Sequence, residues 1–407
     1  KNGEAMRLVL FLLLLFPATI FGQYNTWSKR NDVGMGKRER ATGFSIGSYG
    51  YLCGGLDTAD VIHKDLWAYD PQTDAWTQKA DLPGSARRDA ISFVIDNFAF
   101  VGSGMDSLSG PTGNTLKDFW RYSPTTNSWT AIADFPGAGG AGVYFATGFA
   151  VGGKGYICGG KTGPSIYTNQ LWEYKPSNNQ WIQRANFPGG VRYQMSAFVI
   201  GSKAYVGMGT DQNIFKKDMY CYDPGANNWE AIAPFPGYER GSASTFTLEE
   251  RGFVCLGNNG GLLSDLIEYN PQSDTWTLRA AYGGSERKSA VSFVIDNKAY
   301  VGTGKGYSGK KDSWYVYAPS NYAALDALDA ALQIYPNPFC SDLKIKGIES
   351  NDIELTIYSA LGIKVRQVDL TDAQAQTIDL STLQAGSYML CFRLADGQQL
   401  TKKITKI

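Results

Sequence analysis

Residues 65–76 read DLWAYDPQTDAW, and residues 265–276 read DLIEYNPQSDTW. Three more copies of this segment lie between them, with the sequences DFWRYSPTTNSW (118–129), QLWEYKPSNNQW (170–181) and DMYCYDPGANNW (218–229). A shortened copy, DSWYVYAP (312–319), follows without a closing tryptophan. The closing tryptophans of the full copies are 47 to 53 residues apart. Self-similarity at this period indicates an array of repeated supersecondary units.

Each repeat contains four segments with the pattern of short β-strands. The first is an apolar run such as AISFVID (90–96), and the second ends in glycine, as in KAYVGMG (203–209). A variable loop leads to the aromatic third segment, and a polar turn joins that segment to the tryptophan segment. Alternating or continuous apolar runs bounded by turn residues are typical of strands. The sequence therefore predicts an all-β array of four-stranded units.

The repeat resembles the kelch motif over about residues 24–319. The resemblance rests on the glycine-terminated strand, on the tyrosine about seven residues before the tryptophan, and on the tryptophan itself. It implies a β-propeller in which each repeat forms one blade. The fifth repeat departs from the pattern, since it has VCLGNNGG (254–261) instead of a clean glycine pair and Ile267 where other repeats have an aromatic residue. That departure puts the local shape of the fifth blade in doubt.

Six glycine-terminated strands predict six blades, and these strands end at Gly55, Gly104, Gly160, Gly209, Gly257 and Gly304. The last repeat lacks a fourth strand, whereas Trp27 precedes the first repeat as an isolated fourth-strand tryptophan. An open propeller would expose a long unpaired strand edge. We therefore expect residues 24–32 to pair with the last repeat and to close the ring.

All ten tryptophans belong to the repeat. The fourth strand holds Trp27, Trp76, Trp129, Trp181, Trp229 and Trp276, and the third strand holds Trp67, Trp120, Trp172 and Trp314. We expect these rings to pack between blades, which leaves none as an obvious platform for a sugar. Cys53, Cys158 and Cys255 share one position in alternate repeats and are expected to be buried apolar residues. Cys340 and Cys391 could form a disulfide, although their spacing does not establish one.

The first 22 residues have the pattern of a secretory signal peptide, with a start expected at Met6. Arg7 precedes the apolar run from Leu8 to Phe16, and Gly22 offers a small residue at a cleavage point. The alternative is a membrane anchor, but the run of nine is shorter than the roughly 18 residues that a membrane span needs. The pattern therefore favours export, and no later stretch is long enough to cross a bilayer.

A second domain is expected after the repeats. Residues 23–319 form the predicted propeller, residues 320–331 a linker, and residues 332–407 a small antiparallel β-sandwich. The segments YPNPF (335–339), LTIYSALGIKV (355–365), IDLSTLQAGSYML (378–390) and the lysine-rich tail are similar to the type A sorting domain of the type IX secretion system. The resemblance implies a bacterium of the Bacteroidetes type, passage through the outer membrane by that machinery, and removal of the domain during release or during attachment to surface lipopolysaccharide. The alternative is a generic sandwich that binds sugar or protein.

Charge and composition exclude several function classes. The chain has 38 basic and 38 acidic residues, so no basic excess points to nucleic acid. Its one histidine, His63, excludes zinc sites built on several histidines, and no nucleophile motif accompanies it. The loops contain no D-x-D-x-D-G calcium motif. We therefore expect no metal site, no cofactor and no catalytic residues of a recognisable type.

Arginines recur near the start of the first strand in five repeats, as Arg40, Arg88 (with Arg87), Arg192, Arg240 and Arg287. In a propeller, this position and the loop after the second strand lie on one face around the central channel. A ring of guanidinium groups there could bind a carboxylate or another anion. The alternative is a structural role, because Glu39, Glu239 and Glu286 precede three of these arginines and could pair with them. We weigh the structural role as the better supported one.

The loops after the glycine strands vary in length and sequence, and loops of this kind usually carry specificity. Their candidate ligand-binding residues are Asp57, Asp106, Tyr167, Asp211, Phe215 and Tyr307. The expected function is binding of a protein or glycan ligand on this loop face. The alternative is a sugar-acid mutarotase or epimerase that uses Arg192, Arg240, Glu239 and Glu286 at the channel mouth. A passive surface-layer component without a specific ligand is a third interpretation.

Overall fold

The computed structural model describes residues 25–108, 115–137, 139–319, 328, 331–348, 353–359, 363–370, 376–394 and 399–407. The predicted signal peptide and nearly all of the predicted linker lie outside these residues and remain predictions. The chain divides into two compact units, of which one comprises Asn25–Ser320 and the other includes Asn321–Ile407. No helix in the described ranges has the length and apolar character that crossing a membrane requires.

The first half of the larger unit contains fifteen strands in chain order. They are β1 (Thr26–Arg30), β2 (Thr42–Ile46), β3 (Tyr49–Leu56), β4 (Ile62–Asp70), β5 (Ala75–Lys79), β6 (Ile91–Ile95), β7 (Phe98–Gly102), β8 (Phe119–Ser123), β9 (Ser128–Ile132), β10 (Thr147–Val151), β11 (Lys154–Cys158), β12 (Lys161–Gly163), β13 (Ile166–Tyr167), β14 (Leu171–Lys175) and β15 (Gln180–Arg184).

The second half continues with another fifteen strands. They are β16 (Ser196–Ile200), β17 (Lys203–Gly207), β18 (Thr210–Asp211), β19 (Ile214–Phe215), β20 (Met219–Asp223), β21 (Asn228–Ile232), β22 (Ser244–Leu248), β23 (Arg251–Cys255), β24 (Leu266–Asn270), β25 (Thr275–Arg279), β26 (Val291–Ile295), β27 (Lys298–Gly302), β28 (Lys305–Gly306), β29 (Gly309–Lys310) and β30 (Trp314–Ala318).

These strands form six four-stranded antiparallel sheets, which we number as blades 1 to 6. Their strand orders are β2-β3-β4-β5, β6-β7-β8-β9, β10-β11-β14-β15, β16-β17-β20-β21, β22-β23-β24-β25 and β26-β27-β30-β1. Three two-stranded hairpins, β12–β13, β18–β19 and β28–β29, extend the loops of blades 3, 4 and 6. The prediction of six kelch-type blades is confirmed.

Blade 6 takes its outer strand from the start of the described chain. Strand β1 pairs antiparallel with β30, and Trp27 lies opposite Tyr317 in that register. The predicted closure of the ring by the N-terminal strand is therefore confirmed. This strand therefore pairs with the edge of β30 that would otherwise be exposed at the seam.

The repeated segment first seen at residues 65–76 is explained by a hydrogen-bonding pattern that all six blades share. The third-strand tyrosine donates its hydroxyl proton to the side-chain oxygen of an Asp or Asn that lies two residues before the fourth-strand tryptophan. These bonds, from 2.7 to 2.9 Å long, join Tyr69 to Asp74, Tyr122 to Asn127, Tyr174 to Asn179, Tyr222 to Asn227, Tyr269 to Asp274, and Tyr317 to Asn25. Each Asp or Asn has a positive φ between 48° and 55°, a conformation that these two residue types tolerate better than most.

The same Asp or Asn also connects its blade to the preceding blade. The Asn127 side chain accepts a hydrogen bond of 3.0 Å from the amide of Ala80, and the Trp129 indole donates to the Ala80 carbonyl at 2.8 Å. Equivalent indole-to-carbonyl bonds are made by Trp27, Trp181, Trp229 and Trp276. The chain repeats its twelve-residue segment because each copy holds its own turn and also binds the neighbouring blade.

Packing between blades alternates around the ring. In blade 3, a Cβ on Gly155 would lie 2.1 Å from Cε2 of Phe93 in blade 2, so only glycine fits there. Gly50 and Gly252 face Phe293 and Phe198 in the same way. The same three blades contain Cys53, Cys158 and Cys255, each at most 1% exposed, which confirms that these thiols are buried apolar residues. Burial raises the pKa of the Cys53 thiol to about 12.

The smaller unit is an antiparallel β structure made of two sheets. Its strands are β31 (Gln333–Tyr335), β32 (Asp342–Lys346), β33 (Ile353–Ser359), β34 (Lys364–Leu370), β35 (Gln376–Asp379), β36 (Gly386–Leu394) and β37 (Gln399–Lys406). The sheet orders are β31-β32-β35 and β34-β33-β36-β37, and their apolar faces form one core around Phe339, Leu355 and Phe392. Cys340 is an exposed free thiol, so the disulfide with Cys391 that the sequence allowed is not formed.

Candidate functional site

Five arginines at equivalent positions are the largest charged side chains inside the propeller. Arg38, Arg87, Arg192, Arg240 and Arg287 are each at most 1% exposed. Each guanidinium donates to the carbonyl near the end of the glycine strand in its own blade, and the acceptors are Gly54, Ser103, Met208, Leu256 and Thr303. Four of the five also pair with the aspartate that begins the opening motif, namely Asp65, Asp118, Asp218 and Asp265.

These arginines do not form the exposed ring that the sequence allowed, because their side chains are buried and hydrogen-bonded inside each blade. A structural role, the alternative raised above, agrees with this burial. The partners of the arginines are the aspartates at the start of the third strand, however, and not the glutamates considered from the sequence. In blades 1 and 2, the residues at this position are Arg38 and Arg87, not Arg40 and Arg88. Blade 3 has Val143 at the position of the arginine and Gln170 at the position of the aspartate, so both members of the pair are replaced in the same blade. That joint absence was a signal in the sequence that the two groups are partners.

A ring of six equivalent residues surrounds the central channel at the loop face. The residues are Arg40, Asp89, Phe145, Gln194, Ser242 and Ser289, and all six have a positive φ between 53° and 58°. Together with the next residue of each blade they line a cavity of about 130 Å³, which we call the mouth cavity. Its chemically varied lining contrasts with the repetitive blades. Of this ring, only Arg40 was a candidate from the sequence.

Backbone hydrogen bonds connect the ring from blade to blade. The amide of Asp89 donates to the carbonyl of Arg40 at 2.9 Å, and the amide of Gln194 donates to the carbonyl of Phe145 at 2.8 Å. Ser242, Ser289 and Arg40 each donate to the ring residue of the preceding blade in the same way. A non-glycine residue with positive φ costs on the order of 1 kcal/mol or more, and such strain persists where the surrounding structure determines the backbone. The backbone bonds therefore hold six side chains of different chemistry at one level of the channel.

Arg40 is the cation of this ring, and it crosses the mouth cavity. Its guanidinium lies 5.0 Å from the ring centroid of Phe145 in blade 3, and its Nη1 lies 3.6 Å from Oδ2 of Asp89 in blade 2. The Arg40 side chain is 28% exposed, whereas the repeat arginines are buried. Arg40 therefore keeps donors that face solvent at the mouth.

Asp89 lies in the wall of the cavity between two arginines. Arg88 donates to Asp89 Oδ2 and also to the carbonyls of Ser107 and Leu108, so Arg88 is a buried partner of Asp89 and is only 4% exposed. Burial raises the pKa of Asp89, against the opposing charges of Arg40 and Arg88. Burial likewise lowers the pKa of Lys288, and the neighbouring Arg40 adds to that effect. The mouth thus combines a half-exposed cation with a buried carboxyl.

Aromatic side chains occupy the side of the mouth formed by blades 3 and 4. Tyr167 stacks on Tyr193 with centroids 5.2 Å apart, and Nζ of Lys161 lies 5.1 Å and 4.9 Å from the centroids of these two rings. Tyr144 completes the cluster at 5.8 Å from Nζ. Burial lowers the pKa of Lys161. Tyr167, a candidate from the sequence, therefore belongs to an aromatic cluster with an ammonium group at its centre.

The remaining loop candidates lie around the rim. The Asp57 carboxylate accepts a hydrogen bond of 3.0 Å from Nε2 of His63, which lowers the pKa of Asp57. Asp106 follows Met105, whose backbone pairs with Arg88. Tyr307 is 71% exposed, and its hydroxyl accepts a hydrogen bond of 2.9 Å from the amide of Leu262. Among the described residues, no group of three or more His, Cys, Asp or Glu side chains could hold a metal ion.

Family profiles match three parts of the chain. Residues 142–304 match the KLHDC2/KLHL20/DRC7 Kelch-repeats domain, and residues 40–83 match the Kelch motif. Residues 333–406 match the Secretion system C-terminal sorting domain. The profiles therefore find kelch repeats in the larger unit and a sorting domain in the smaller unit.

Known proteins are similar to parts of the chain. Kelch-like protein 25 of Xenopus tropicalis is 28% identical over 179 residues, which are 42% of this chain and 28% of that protein. The N-acetylneuraminate epimerase of Shigella flexneri is 34% identical over 85 residues, which are 21% of this chain and 22% of that protein. This chain thus spans less than a third of the length of either curated relative.

The structure titled "Structure of YjhT" matches with a TM-score of 0.61 and 19% identity, covering 72% of this chain and 98% of that one. At this identity the match supports the propeller fold alone. The fold, the repeats and the tail agree with one another. The chain is a kelch-repeat propeller protein that carries a type IX secretion system C-terminal sorting domain, which marks it for secretion or cell-surface export.

Proposed function

We propose that the exported propeller binds an anionic protein or glycan ligand at the mouth cavity. The single observation that carries the proposal is the position of Arg40, whose half-exposed guanidinium crosses a cavity lined by Gln194, Ser242 and Ser289. A guanidinium recognises a carboxylate through paired charge-assisted hydrogen bonds. The serine hydroxyls and the glutamine amide supply further donors and acceptors for a polar ligand.

The surroundings of Arg40 favour an anion at this position. Arg40 has only loose ionic partners, at 3.6 Å from Asp89 and 4.0 Å from Glu39, and Asp89 is already bound by Arg88. Lys288 and Lys161 add positive charge near the mouth, and burial disfavours their charged forms until a counter-ion arrives. An anionic ligand would relieve this electrostatic cost.

The proposal also includes the route of export and the partners of the protein. Kelch domains generally mediate protein binding, and the sorting domain implies interaction with the secretion machinery. We further propose that residues 1–22 act as the signal peptide and that the sorted protein is released or attached to surface lipopolysaccharide. The repeat arginines Arg192, Arg240 and Arg287 hold the blades and leave ligand contact to Arg40.

Ligand titrations of the full chain would test the proposal. Glucuronate, N-acetylneuraminate and a glutamate-rich peptide would be added, with binding followed by saturation-transfer NMR. We expect at least one anion to bind, and we expect Arg40→Gln to weaken it by on the order of tenfold or more. Arg121→Gln is the matched control, because Arg121 is an exposed arginine on β8 that contacts Phe98. No anion binding, or equal binding by the wild type and R40Q, would contradict the proposal.

A second candidate is a sugar-acid mutarotase or epimerase, which the similarity to N-acetylneuraminate epimerase favours. The sequence pointed to Arg192, Arg240, Glu239 and Glu286 as the residues of this enzyme, but both arginines are buried and paired with Asp218 and Asp265. Asp89 is the better candidate, because burial raises the pKa of its carboxyl beside the cavity. Asp89 would take the proton of the anomeric hydroxyl, a solvent water would donate a proton to the ring oxygen, and the ring C–O bond would break to give the open-chain sugar.

Proton NMR would test this second candidate with N-acetylneuraminate as the probe. We expect anomer exchange faster than in buffer for the wild type and a rate near the buffer rate for Asp89→Asn. Asp106→Asn is a control carboxylate on the rim. Exchange at the buffer rate with wild-type protein would exclude the enzyme and leave the binding proposal standing.

A further inference from the structure

The loop of blade 5 differs from its neighbours. Residues 257–261 read GNNGG, and a single backbone bridge between Asn258 and Leu262 replaces the hairpins found in blades 4 and 6. Gly260 has open space around the position of a Cβ. Gly241 lies beside this loop, just before the first strand of blade 5. The other blades have glutamate, arginine, tyrosine or lysine at the equivalent position. Blade 5 therefore presents a surface of small residues beside the mouth.

Two aromatic residues from the neighbouring blades border this surface. Cε1 of Phe215, from the hairpin of blade 4, lies 3.4 Å from the position that a Cβ of Gly241 would occupy. Tyr307, from the hairpin of blade 6, bonds through its hydroxyl to the amide of Leu262 and keeps 71% of its surface exposed. We call the surface between Phe215 and Tyr307, with Gly241 and Asn258 as its floor, the blade 5 cleft.

An unpaired polar atom lies at the floor of this surface. Within the described part of the chain, Oδ1 of Asn258 is buried without a hydrogen-bond partner. A buried acceptor without a partner is costly, so a ligand that brings a hydroxyl donor would satisfy this atom.

The cleft continues into the mouth cavity. Oε1 of Gln194 lies 3.0 Å from the Cβ position of Gly241, and Gln194 and Ser242 line the cavity. The backbone of the floor is already paired, since the amide and carbonyl of Gly241 exchange two hydrogen bonds of 3.0 Å with Asn258. A peptide could not add here as an extra β-strand, because that mode needs free backbone groups.

We propose that the blade 5 cleft is a subsite for a neutral sugar unit. An aromatic ring packs against the apolar face of a pyranose, and side-chain oxygens accept its hydroxyl protons. This inference rests on the proposed function, in which the mouth cavity takes the anionic group. The ligand class is therefore an acidic oligosaccharide that places its charged unit at Arg40 and the adjoining neutral unit between Phe215 and Tyr307.

Disaccharide probes test the inference separately from the proposed function. The full chain would be titrated with glucuronate alone and with disaccharides that join glucuronate to glucose, galactose or N-acetylglucosamine. We expect at least one disaccharide to bind about fivefold to tenfold more tightly than glucuronate. We expect Tyr307→Ala and Asn258→Ala to remove this gain and to leave the affinity for glucuronate unchanged. Tyr49→Ala, at an exposed tyrosine at the start of β3, is the matched control.

The outcomes distinguish the two claims. If glucuronate binds through Arg40 but no disaccharide binds more tightly, the cleft inference is overturned and the proposed function stands. If a gain exists but survives in Y307A and N258A, the neutral unit lies elsewhere and the inference is also overturned. If glucuronate and all disaccharides fail to bind, the proposed acidic-sugar ligand fails as a whole.

Discussion

The hydroxyl of Tyr317 donates to Oδ1 of Asn25 at 2.9 Å, although 292 residues separate the two along the chain. The same bond joins neighbours five residues apart in each of the other five blades. The seam of the ring is therefore built from the same parts as an ordinary blade, with the two halves of the motif at opposite ends of the propeller. Because β1 is the outer strand of blade 6, the stability of the propeller should depend on the bonds that hold β1 in place.

Replacement of Asn25 by alanine should open the seam. The substitution removes the acceptor for Tyr317 and for the amide of Ala280, and it places alanine at a φ of 55°. We expect a loss of about 2–3 kcal/mol in the free energy of unfolding, measured by urea denaturation. Hydrogen exchange should also become faster in β1 and β30.

Asn127→Ala is the internal control for this prediction. It removes the equivalent two bonds, one within blade 2 and one between blades 1 and 2, and we expect a similar loss of stability without faster exchange in β1. Unchanged exchange of β1 in N25A would show that the side-chain bond does not hold the seam.

The Arg87–Asp118 pair should make the free energy of unfolding depend on pH in the acid range. Burial alone would raise the pKa of Asp118, but the hydrogen bond and the charge of Arg87 outweigh it and hold that pKa below its ordinary value. A lowered pKa in the folded state stabilises the fold above the unfolded pKa of about 3.9, and this stabilisation is lost as the pH falls through the folded pKa. Thermal unfolding measured from pH 6 down to pH 2 should show that loss.

Arg87→Gln should lower stability at pH 6 and should flatten the acid dependence, because Asp118 then loses the partner that lowers its pKa. Lys29→Gln, at an exposed i,i+3 pair with Asp32, should change neither quantity appreciably. An R87Q variant with the same acid dependence as the wild type would mean that the pair does not contribute through its charge.

Alanine at Gly155 should destabilise the contact between blades 2 and 3. Its Cβ would lie 2.1 Å from Phe93, so the phenyl ring or the strand has to shift. Overpacking of this kind costs about 1–3 kcal/mol, which chemical denaturation can resolve. Gly34→Ala is the control, since no atom lies within 4 Å of its Cβ position. Equal stability of G155A and the wild type would show that the blades separate easily there.

Thiol labelling should follow burial. Cys340 is exposed, whereas Cys158 and Cys255 are fully buried, and burial raises the pKa of both buried thiols. We expect iodoacetamide to modify Cys340 in the native protein and to reach Cys158 and Cys255 only after unfolding, as peptide mass spectrometry would show. Modification of Cys158 before Cys340 would contradict the packing of blade 3.

Much of the fold could be predicted from local patterns. Residues 65–76 and their copies predicted six blades, because a strand–turn–strand unit repeats its own turn chemistry wherever it occurs. The isolated Trp27 predicted ring closure, since an unpaired edge is unfavourable. The burial of Cys53, Cys158 and Cys255 followed from their shared position in alternate repeats.

The candidate site was less predictable, because it depends on which neighbouring position faces the channel. Arg38 and Arg40 are two residues apart and of the same type, yet Arg38 is buried against Asp65 while Arg40 crosses the mouth. Asp89, Phe145 and Gln194 share the ring with Arg40 but share no residue type, so a search for repeated residues passes over them.

The sequence by itself therefore determined the repeat, the number of blades, the closing strand and the sorting tail. These features depend on short-range patterns that every copy reinforces. Only the tertiary structure decided which side chains meet at the mouth, that the repeat arginines are used within blades, and that Phe215 and Tyr307 border the loop of blade 5. The physical reason is that these features depend on which side chain of a local segment turns inward and which neighbour it then meets. A step of two residues separates the buried Arg38 from Arg40 at the mouth cavity.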